Sequence, residues 1–279
     1  MWQRLWHYGA SKLVTVRHCP IIFSPGSLPV ISAKKNIDTS AINYSGNRVG
    51  VYYLQQGTDM KNSGVIFDRA GSSFAQLQKG MINWDKVFDG ISWFHFSAIA
   101  AALTQSAAEV CEEALQAASA KVITISVELN YSNKLWQYGK QPVQIMPGLV
   151  KYCDVVMGNL WAANVMLGIP VDESLVNQDE KNAYLQQATE TSKTIQQQFP
   201  KVKTVANTFR FDRNKGILYY TTLFTDKLFV SAEYTADKVL DKVGSGDCFM
   251  GGLIYGLSNA HPHQQTLDFA TAAAYNKLF

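Results

Sequence analysis

Strand-like and helix-like segments alternate along this chain from about residue 91 to its end. Residues 91–96 and 121–129 are rich in apolar and β-branched side chains, and residues 104–120 between them read as a helix that Thr104 caps. Alternation of this kind is typical of an α/β fold in which strands pair in parallel through right-handed crossovers. Ligands of such sheets bind beyond the carboxyl ends of the strands.

The later segments continue the alternation. Helices are predicted for residues 143–152, 159–167, 179–199, 247–257 and 262–278, and strands for 154–158, 201–206, 216–222 and 227–230. Gly168 follows the second of these helices and Pro170 lies just beyond, a combination that ends helices. The sequence therefore predicts a mostly parallel central sheet flanked by helices.

Two short runs of aromatic and β-branched residues, 49–55 and 65–68, precede the alternating region. The glycine-bounded residues 57–64 separate them, which predicts a β-hairpin. We expect this hairpin to belong to a small β lid at about residues 42–75. An exposed small sheet is commonly covered by a partner, so the lid also predicts a homodimer.

Composition excludes several classes of protein. A formal charge of +3 over 279 residues gives no basic patch for nucleic acid. No apolar run reaches the roughly 18 residues of a transmembrane helix. Residues 1–10 lack the apolar core of a signal peptide. The 4 cysteines form no C-x-x-C pair, so reduced thiols in a cytoplasmic protein are expected.

Residues 241–252, with the sequence DKVGSGDCFMGG, carry the strongest chemical signal. Gly244 and Gly246 form a tight turn before an apolar helix, and free N–H groups at a helix N-terminus bind anions. Asp247 at the rim of that turn is placed to take a proton from a hydroxyl that attacks a phosphoryl group. An ordinary glycine turn before a buried helix is the alternative interpretation. Cys248 is expected to pack beneath the turn.

This run resembles the motif D-[ST]-x-G-A-G-D-x-F of the ribokinase-like (PfkB-type) carbohydrate kinases. The resemblance implies a ribokinase-like fold, with ATP and Mg²⁺ as cofactors and Asp247 as the catalytic base. It also implies an anion hole built from the amides of Gly244, Ser245 and Gly246. Lys242 and Ser245 depart from the family pattern. Asp241 would be the residue beside a metal or a monovalent cation.

Four further segments, residues 48–54, 67–74, 93–99 and 127–136, resemble the lid and core motifs of 2-keto-3-deoxygluconate kinases. By that resemblance Arg69 and Tyr52 bind the sugar acid, because a carboxylate is best held by a guanidinium. The alternatives are a surface salt bridge for Arg69 and simple packing for Tyr52. Asn130 would lie near the phosphate path.

Two nucleotide contacts are also expected. The resemblance implies that Asn159 and Arg210 bind the nucleotide, together with Gly244 and Gly246 of the turn. The alternative interpretation is that Arg210 is a solvent-exposed arginine at a strand end with no nucleotide contact.

The chain departs from the family pattern in several places. Residues 1–35 are expected to be an atypical N-terminal segment, and residues 36–279 a kinase domain incomplete at both ends. Ser132 replaces the family arginine and Glu128 the family aspartate, and no glutamate follows Asn159 at the usual spacing. Mg²⁺ is therefore expected to be held mainly by ATP phosphates and water.

Three hypotheses about function follow. The leading one is an ATP-dependent kinase of 2-keto-3-deoxygluconate that phosphorylates its terminal hydroxyl. The first alternative is a catalytically inactive relative or gene fragment that only binds nucleotide or sugar. The second alternative is a fructokinase- or ribokinase-like kinase of a neutral sugar, against which Arg69 argues because neutral sugars need no carboxylate partner.

Overall fold

The computed structural model describes residues 18–19, 43–53, 65–177, 180–213 and 216–279. Most of the predicted N-terminal segment and the predicted hairpin loop at 57–64 lie outside these residues. Two compact units are present. The C-terminal unit comprises Ser126–Tyr131 and Cys153–Phe279, and the N-terminal unit comprises the described residues up to Ile125 together with Ser132–Tyr152.

The element order shows the predicted alternation. The helices are α1 (Trp84–Val87), α2 (Gln105–Ala120), α3 (Pro142–Val150), α4 (Leu160–Leu167), α5 (Lys181–Gln198), α6 (Ser245–Ser258) and α7 (His263–Asn276). The strands are β1 (His18–Cys19), β2 (Asn43–Tyr44), β3 (Val51–Tyr53), β4 (Ile66–Asp68), β5 (Trp93–Ser97), β6 (Thr124–Glu128), β7 (Val155–Gly158), β8 (Thr204–Arg213), β9 (Gly216–Phe224), β10 (Leu228–Val230) and β11 (Tyr234–Ala236). Short 3₁₀ helices cover Ala100–Ala102 and Glu173–Asn177.

The main sheet has the strand order β10-β9-β8-β7-β6-β5, and β11 also pairs with β9. The β6–β7 and β7–β8 pairs are parallel, which confirms an α/β fold with parallel strands at its centre. Strand β9 is antiparallel to β8, β10 and β11, so the sheet is mixed on the side of β9. Only residues 214–215 separate β8 from β9, and so short a connection makes an antiparallel hairpin.

Helices cover both faces of β9 in the C-terminal unit. The Thr221 and Thr271 hydroxyls share a buried hydrogen bond of 2.5 Å, so α7 lies on one face. Tyr220 points to the opposite face, because neighbouring strand residues alternate. There it packs in a buried cluster with Tyr184 of α5 and Phe209 of β8. Among the helices of the described residues, none combines the length and apolar character needed to cross a lipid bilayer.

The predicted hairpin is confirmed in the N-terminal unit, where β3 and β4 form a separate antiparallel sheet. Thr104 caps α2 as predicted, since its hydroxyl accepts a hydrogen bond of 3.1 Å from the Ala107 amide. Lys134 donates a hydrogen bond of 2.8 Å to the Val65 carbonyl just before β4. The β3–β4 sheet is therefore joined to the segment that follows β6.

Close packing of α6 on α7 predicts a strong effect of one glycine on stability. A Cβ atom on Gly252 would lie 2.7 Å from the Ala270 Cα, which is backbone and cannot rotate away. We expect Gly252→Val to lower the free energy of unfolding by about 1–3 kcal/mol. Gly148→Val in α3 is the control, since a Cβ there meets nothing within 4 Å. Thermal melting measures both, and equal melting temperatures would contradict the prediction.

Candidate active site

The turn before α6 has the geometry of an anion site. Gly244 adopts a left-handed conformation (φ 82°) that L side chains rarely accept, and α6 begins at the next residue. The Val243 amide donates a hydrogen bond of 2.9 Å to Asp241 Oδ1, which closes the turn. Gly244 has no side chain, so the N-cap residue itself makes no side-chain hydrogen bond to the first N–H groups of α6. These amides and the positive end of the helix dipole are suited to a phosphate group.

Asp247 lies in the first turn of α6 and its side chain is exposed. Its Oδ2 is 3.8 Å from the point where a Cβ on Gly244 would lie, so the carboxylate and the turn share one end of the helix. The next residue, Cys248, is buried at 2% exposure, as expected of a residue packed beneath the turn. The Ser245 hydroxyl donates a hydrogen bond of 3.0 Å to the Ala274 carbonyl. Its hydroxyl hydrogen is therefore in use, and the backbone amide is the Ser245 donor that could bind an anion.

Glu128 at the end of β6 joins this site from another part of the chain. Its Oε1 would lie 3.2 Å from a Cβ on Gly246, so a glutamate carboxylate borders the predicted anion hole. A carboxylate at this place repels a bare phosphate and attracts a hard cation such as Mg²⁺. Groups of three or more His, Cys, Asp or Glu suited to a metal are absent from the described residues. Glu128 fits a metal that takes most of its ligands from phosphate and water.

Asn130 follows Glu128 at the same end of the parallel strands. Its backbone N–H donates a hydrogen bond of 2.9 Å to the Glu128 backbone carbonyl, and the residue is half-buried. The Leu129 amide between them bonds the Met157 carbonyl of β7 at 2.7 Å. These bonds fix the backbone of residues 128–130 beside β7.

Asp241 and its neighbours form a charged cluster beside the turn. Lys277 Nζ lies 3.1 Å from Asp241 Oδ2, and Lys242 Nζ lies 3.0 Å from Asp212 Oδ1. The Val243 amide, and after it the Lys277 ammonium, hold the pKa of Asp241 below its usual value. Asp241 is thus an ionised carboxylate with a cation of the chain beside it.

Asn159 and Arg210 occupy two other positions of the C-terminal unit. Asn159 is the N-cap of α4, and its Oδ1 accepts a hydrogen bond of 2.9 Å from the Ala162 amide. Arg210 lies in β8 opposite Tyr219 of β9 and is half-buried, so it is not a freely solvated side chain. Burial raises the pKa of Tyr219, and the charge of Arg210 acts against that rise.

Arg69 and Tyr52 come together in the N-terminal unit. The Arg69 guanidinium carbon lies 5.8 Å from the centre of the Tyr52 ring and 5.3 Å from that of Phe67. Burial lowers the pKa of Arg69, in part offset by Tyr52. Tyr52 keeps 41% of its surface exposed, and its ring lies 6.4 Å from that of Phe67 between ring centres. A partly desolvated guanidinium on an aromatic surface is suited to a planar anion such as a carboxylate.

Arg48 holds the backbone on both sides of Arg69. Its guanidinium donates hydrogen bonds of 2.9 Å to the Asp68 and Ala70 carbonyls and forms an ion pair of 2.5 Å with the Asp68 carboxylate. Within the described part of this segment, the ion pair with Asp68 is thus made by Arg48 and not by Arg69. A Cβ on Gly50 would lie 3.2 Å from Arg69 Cγ, so this glycine leaves room for the arginine stem.

The predicted site residues fall into two groups. The C-terminal unit brings together Asp241, Gly244, Ser245, Gly246 and Asp247, and the N-terminal unit brings together Tyr52 and Arg69. Sequence reasoning missed Glu128, Lys277 and Arg48 as site residues. Glu128 had a signal, because it stands where the resembling motif has an aspartate. Lys277 had none, since it is 36 residues from the aspartate it contacts.

Comparisons with known proteins all identify sugar kinases as similar to this chain. A family model described as pfkB family carbohydrate kinase matches residues 32–276. The 2-dehydro-3-deoxygalactonokinase of Haloferax volcanii is 25% identical over 228 residues, which cover 81% of this chain and 64% of that protein. The 2-dehydro-3-deoxygluconokinase structure from Thermotoga maritima has a TM-score of 0.83 and 29% identity, and covers 94% of this chain and 77% of that one. The ATP-bound fructokinase structure from Xylella fastidiosa shares the fold (TM-score 0.71, 17% identity, covering 98% of this chain and 80% of that one).

Proposed function

This chain belongs to the PfkB family of carbohydrate kinases and has their ribokinase-like fold, and from that premise we propose that it phosphorylates 2-keto-3-deoxygluconate with ATP. The terminal hydroxyl of the sugar acid is the proposed acceptor. The relatives named for the gluconate and galactonate forms of this sugar acid support the substrate class.

The observation that carries the proposal is an exposed carboxylate at an uncapped helix N-terminus. Asp247 takes the proton of the sugar hydroxyl as its oxygen attacks the γ-phosphorus of ATP, and ADP leaves. The amides of Gly244, Ser245 and Gly246 stabilise the charge on the transferred phosphoryl group. Positioning and electrostatics supply the rate enhancement, because little covalent chemistry is left for the protein.

The other predicted contacts keep their roles in this proposal. Arg69 binds the sugar carboxylate while Tyr52 contributes its hydroxyl and ring face. Asn130 contacts the phosphate path. Asn159 and Arg210 contact the nucleotide, with Gly244 and Gly246 at its phosphates.

Mg²⁺ is the proposed metal. Bound to ATP, it offsets negative charge on the phosphates as the phosphoryl group is transferred. The carboxylate of Glu128 beside Gly246 is the residue that fits this cation. Asp241, the other residue predicted near a cation, is already paired with Lys277.

We also propose a homodimer through the β3–β4 sheet and a cytoplasmic location. Tyr53 and Ile66 on that sheet are 60% and 64% exposed, and burial of such side chains favours a partner. Cys111, Cys153 and Cys248 are free thiols, which suits a reducing compartment. Light scattering of the purified protein tests the dimer.

ADP release tests the proposed reaction. We expect purified protein with Mg-ATP to release ADP with 2-keto-3-deoxygluconate or its galactonate epimer and much less with fructose or ribose. The physical reason is that a neutral sugar leaves the Arg69 guanidinium without an anionic partner. Both epimers are assayed because the named relatives differ in this respect.

Two outcomes would contradict the proposal. Turnover with fructose or ribose alone would favour the neutral-sugar kinase. Folded protein that binds nucleotide and turns over no sugar would favour the inactive relative. Circular dichroism and nucleotide binding are measured on the same preparation, so that an unfolded sample is recognised.

A further inference from the structure

A lysine ammonium lies beside Asp241, the residue that the family resemblance places next to a metal or a monovalent cation. Lys277 is the C-cap residue of α7, and its Nζ lies 3.1 Å from Asp241 Oδ2. Its Cε is 3.7 Å from the point where a Cβ on Gly244 would lie, and Asp247 Oδ2 is 3.8 Å from the same point. The lysine stem and the proposed catalytic carboxylate therefore flank the same glycine.

The surroundings of Asp241 do not fit a metal or a monovalent cation. Its Oδ1 accepts the Val243 amide at 2.9 Å, and its Oδ2 accepts the Lys277 ammonium at 3.1 Å. The single negative charge is thus already balanced by a cation of the chain. Both partners favour the ionised carboxylate.

Backbone contacts fix Lys277 in this place. The Leu240 and Asp241 amides donate hydrogen bonds of 2.9 and 3.3 Å to the Leu278 carbonyl. The Ser245 hydroxyl bonds the Ala274 carbonyl at 3.0 Å on the other side of Lys277. The end of α7 is therefore joined to the residues before and after the glycine turn.

Electrostatics gives this arrangement a function. An ammonium beside the positive end of α6 is unfavourable alone, and the Asp241 carboxylate offsets that repulsion. When an anionic phosphoryl group arrives at the turn, the ammonium and the helix amides all attract it. Because the ammonium is part of the chain, the positive charge is present without a cation having to bind from solution.

We propose that Lys277 replaces a monovalent cation at the phosphate site: it neutralises Asp241, holds the turn at Gly244 and adds positive charge beside the transferred phosphoryl group. This inference rests on the proposed kinase function. Lys277 acts through Asp241 and the turn, so it is a positioning residue. The enzyme consequently needs no added K⁺.

The first experiment compares kcat in KCl, NH₄Cl and tetramethylammonium chloride at equal ionic strength. Wild-type kcat is expected to be the same in all three salts. Lys277→Met is expected to lose about tenfold in tetramethylammonium, which corresponds to about 1.4 kcal/mol. K⁺ or NH₄⁺ should restore part of that loss by entering the vacated place, and Lys277→Arg should keep most of the activity. Lys181→Met is the matched control, since it removes a lysine paired with Glu233 at 2.7 Å in the same unit.

A second readout needs no turnover. K⁺ is expected to raise the melting temperature of Lys277→Met and to leave wild type unchanged. If wild type turns over no sugar, the proposed function fails, and these melting curves still test the cation replacement. Wild type activated by K⁺, or Lys277→Met with wild-type kcat in tetramethylammonium, overturns the inference. Asp241→Asn is expected to abolish the effect of K⁺ on Lys277→Met, and a persisting effect also overturns it.

Discussion

Asp247→Asn is expected to lower kcat by about 10²–10⁴-fold, the usual contribution of a positioned general base. The amide has nearly the size and shape of the carboxylate but takes no proton at neutral pH. Asp247 is exposed, so the exchange opens no cavity in the core. Nucleotide affinity should stay close to that of wild type, because the proposed phosphate ligands are backbone amides.

Single-turnover kinetics and nucleotide titration measure the two effects separately. Asp268→Asn is the matched control, since it changes an exposed α7 carboxylate that accepts a hydrogen bond of 2.9 Å from Gln264 of the same helix. Near-normal turnover in Asp247→Asn would remove this residue from the base role. A parallel loss of nucleotide affinity would instead indicate a damaged helix terminus.

Local signals predicted the longer helices α2 to α7 well because their causes lie within a few residues, whereas the four-residue α1 was missed. Thr104 caps α2, and Gly168 ends α4 in a left-handed conformation (φ 71°), as the sequence indicated. Strand ends were harder. Strand β8 continues to Arg213, beyond the predicted end at residue 206, because hydrogen bonds to β9 keep polar residues extended. The three residues of β11 lack a long apolar pattern and were missed.

The residues of the candidate site also divide into those with a local sequence signal and those without one. The turn from Gly244 to Asp247 could be predicted because its glycines, amides and carboxylate are consecutive in the chain. Glu128 and Lys277 reach that turn from a strand end and a helix end far along the chain. No local pattern specifies such contacts, since they depend on how β6 and α7 pack around α6. The charged residues that surround a local motif can therefore be identified only from the tertiary structure.

Arg69→Ala is expected to raise the KM for the sugar acid by about 10–100-fold, as loss of a charged hydrogen bond worth about 1.5–3 kcal/mol implies. The KM for ATP should stay near that of wild type. Arg48 fixes the carbonyls on both sides of Arg69, so the backbone of the lid should survive truncation of the side chain. Initial-rate kinetics with each substrate varied in turn measures both values.

A lysine variant separates the charge of Arg69 from its hydrogen-bonding geometry. Arg69→Lys keeps the charge but loses the planar pair of donors, so its KM should lie between those of wild type and Arg69→Ala. Lys121→Ala is the control, because it removes a cation paired with Asp85 at 2.9 Å in the same unit. Equal rises in both KM values would contradict carboxylate binding and point to a collapsed lid. Residual turnover of a neutral sugar should not change in Arg69→Ala, because a sugar without a carboxylate gains nothing from the guanidinium.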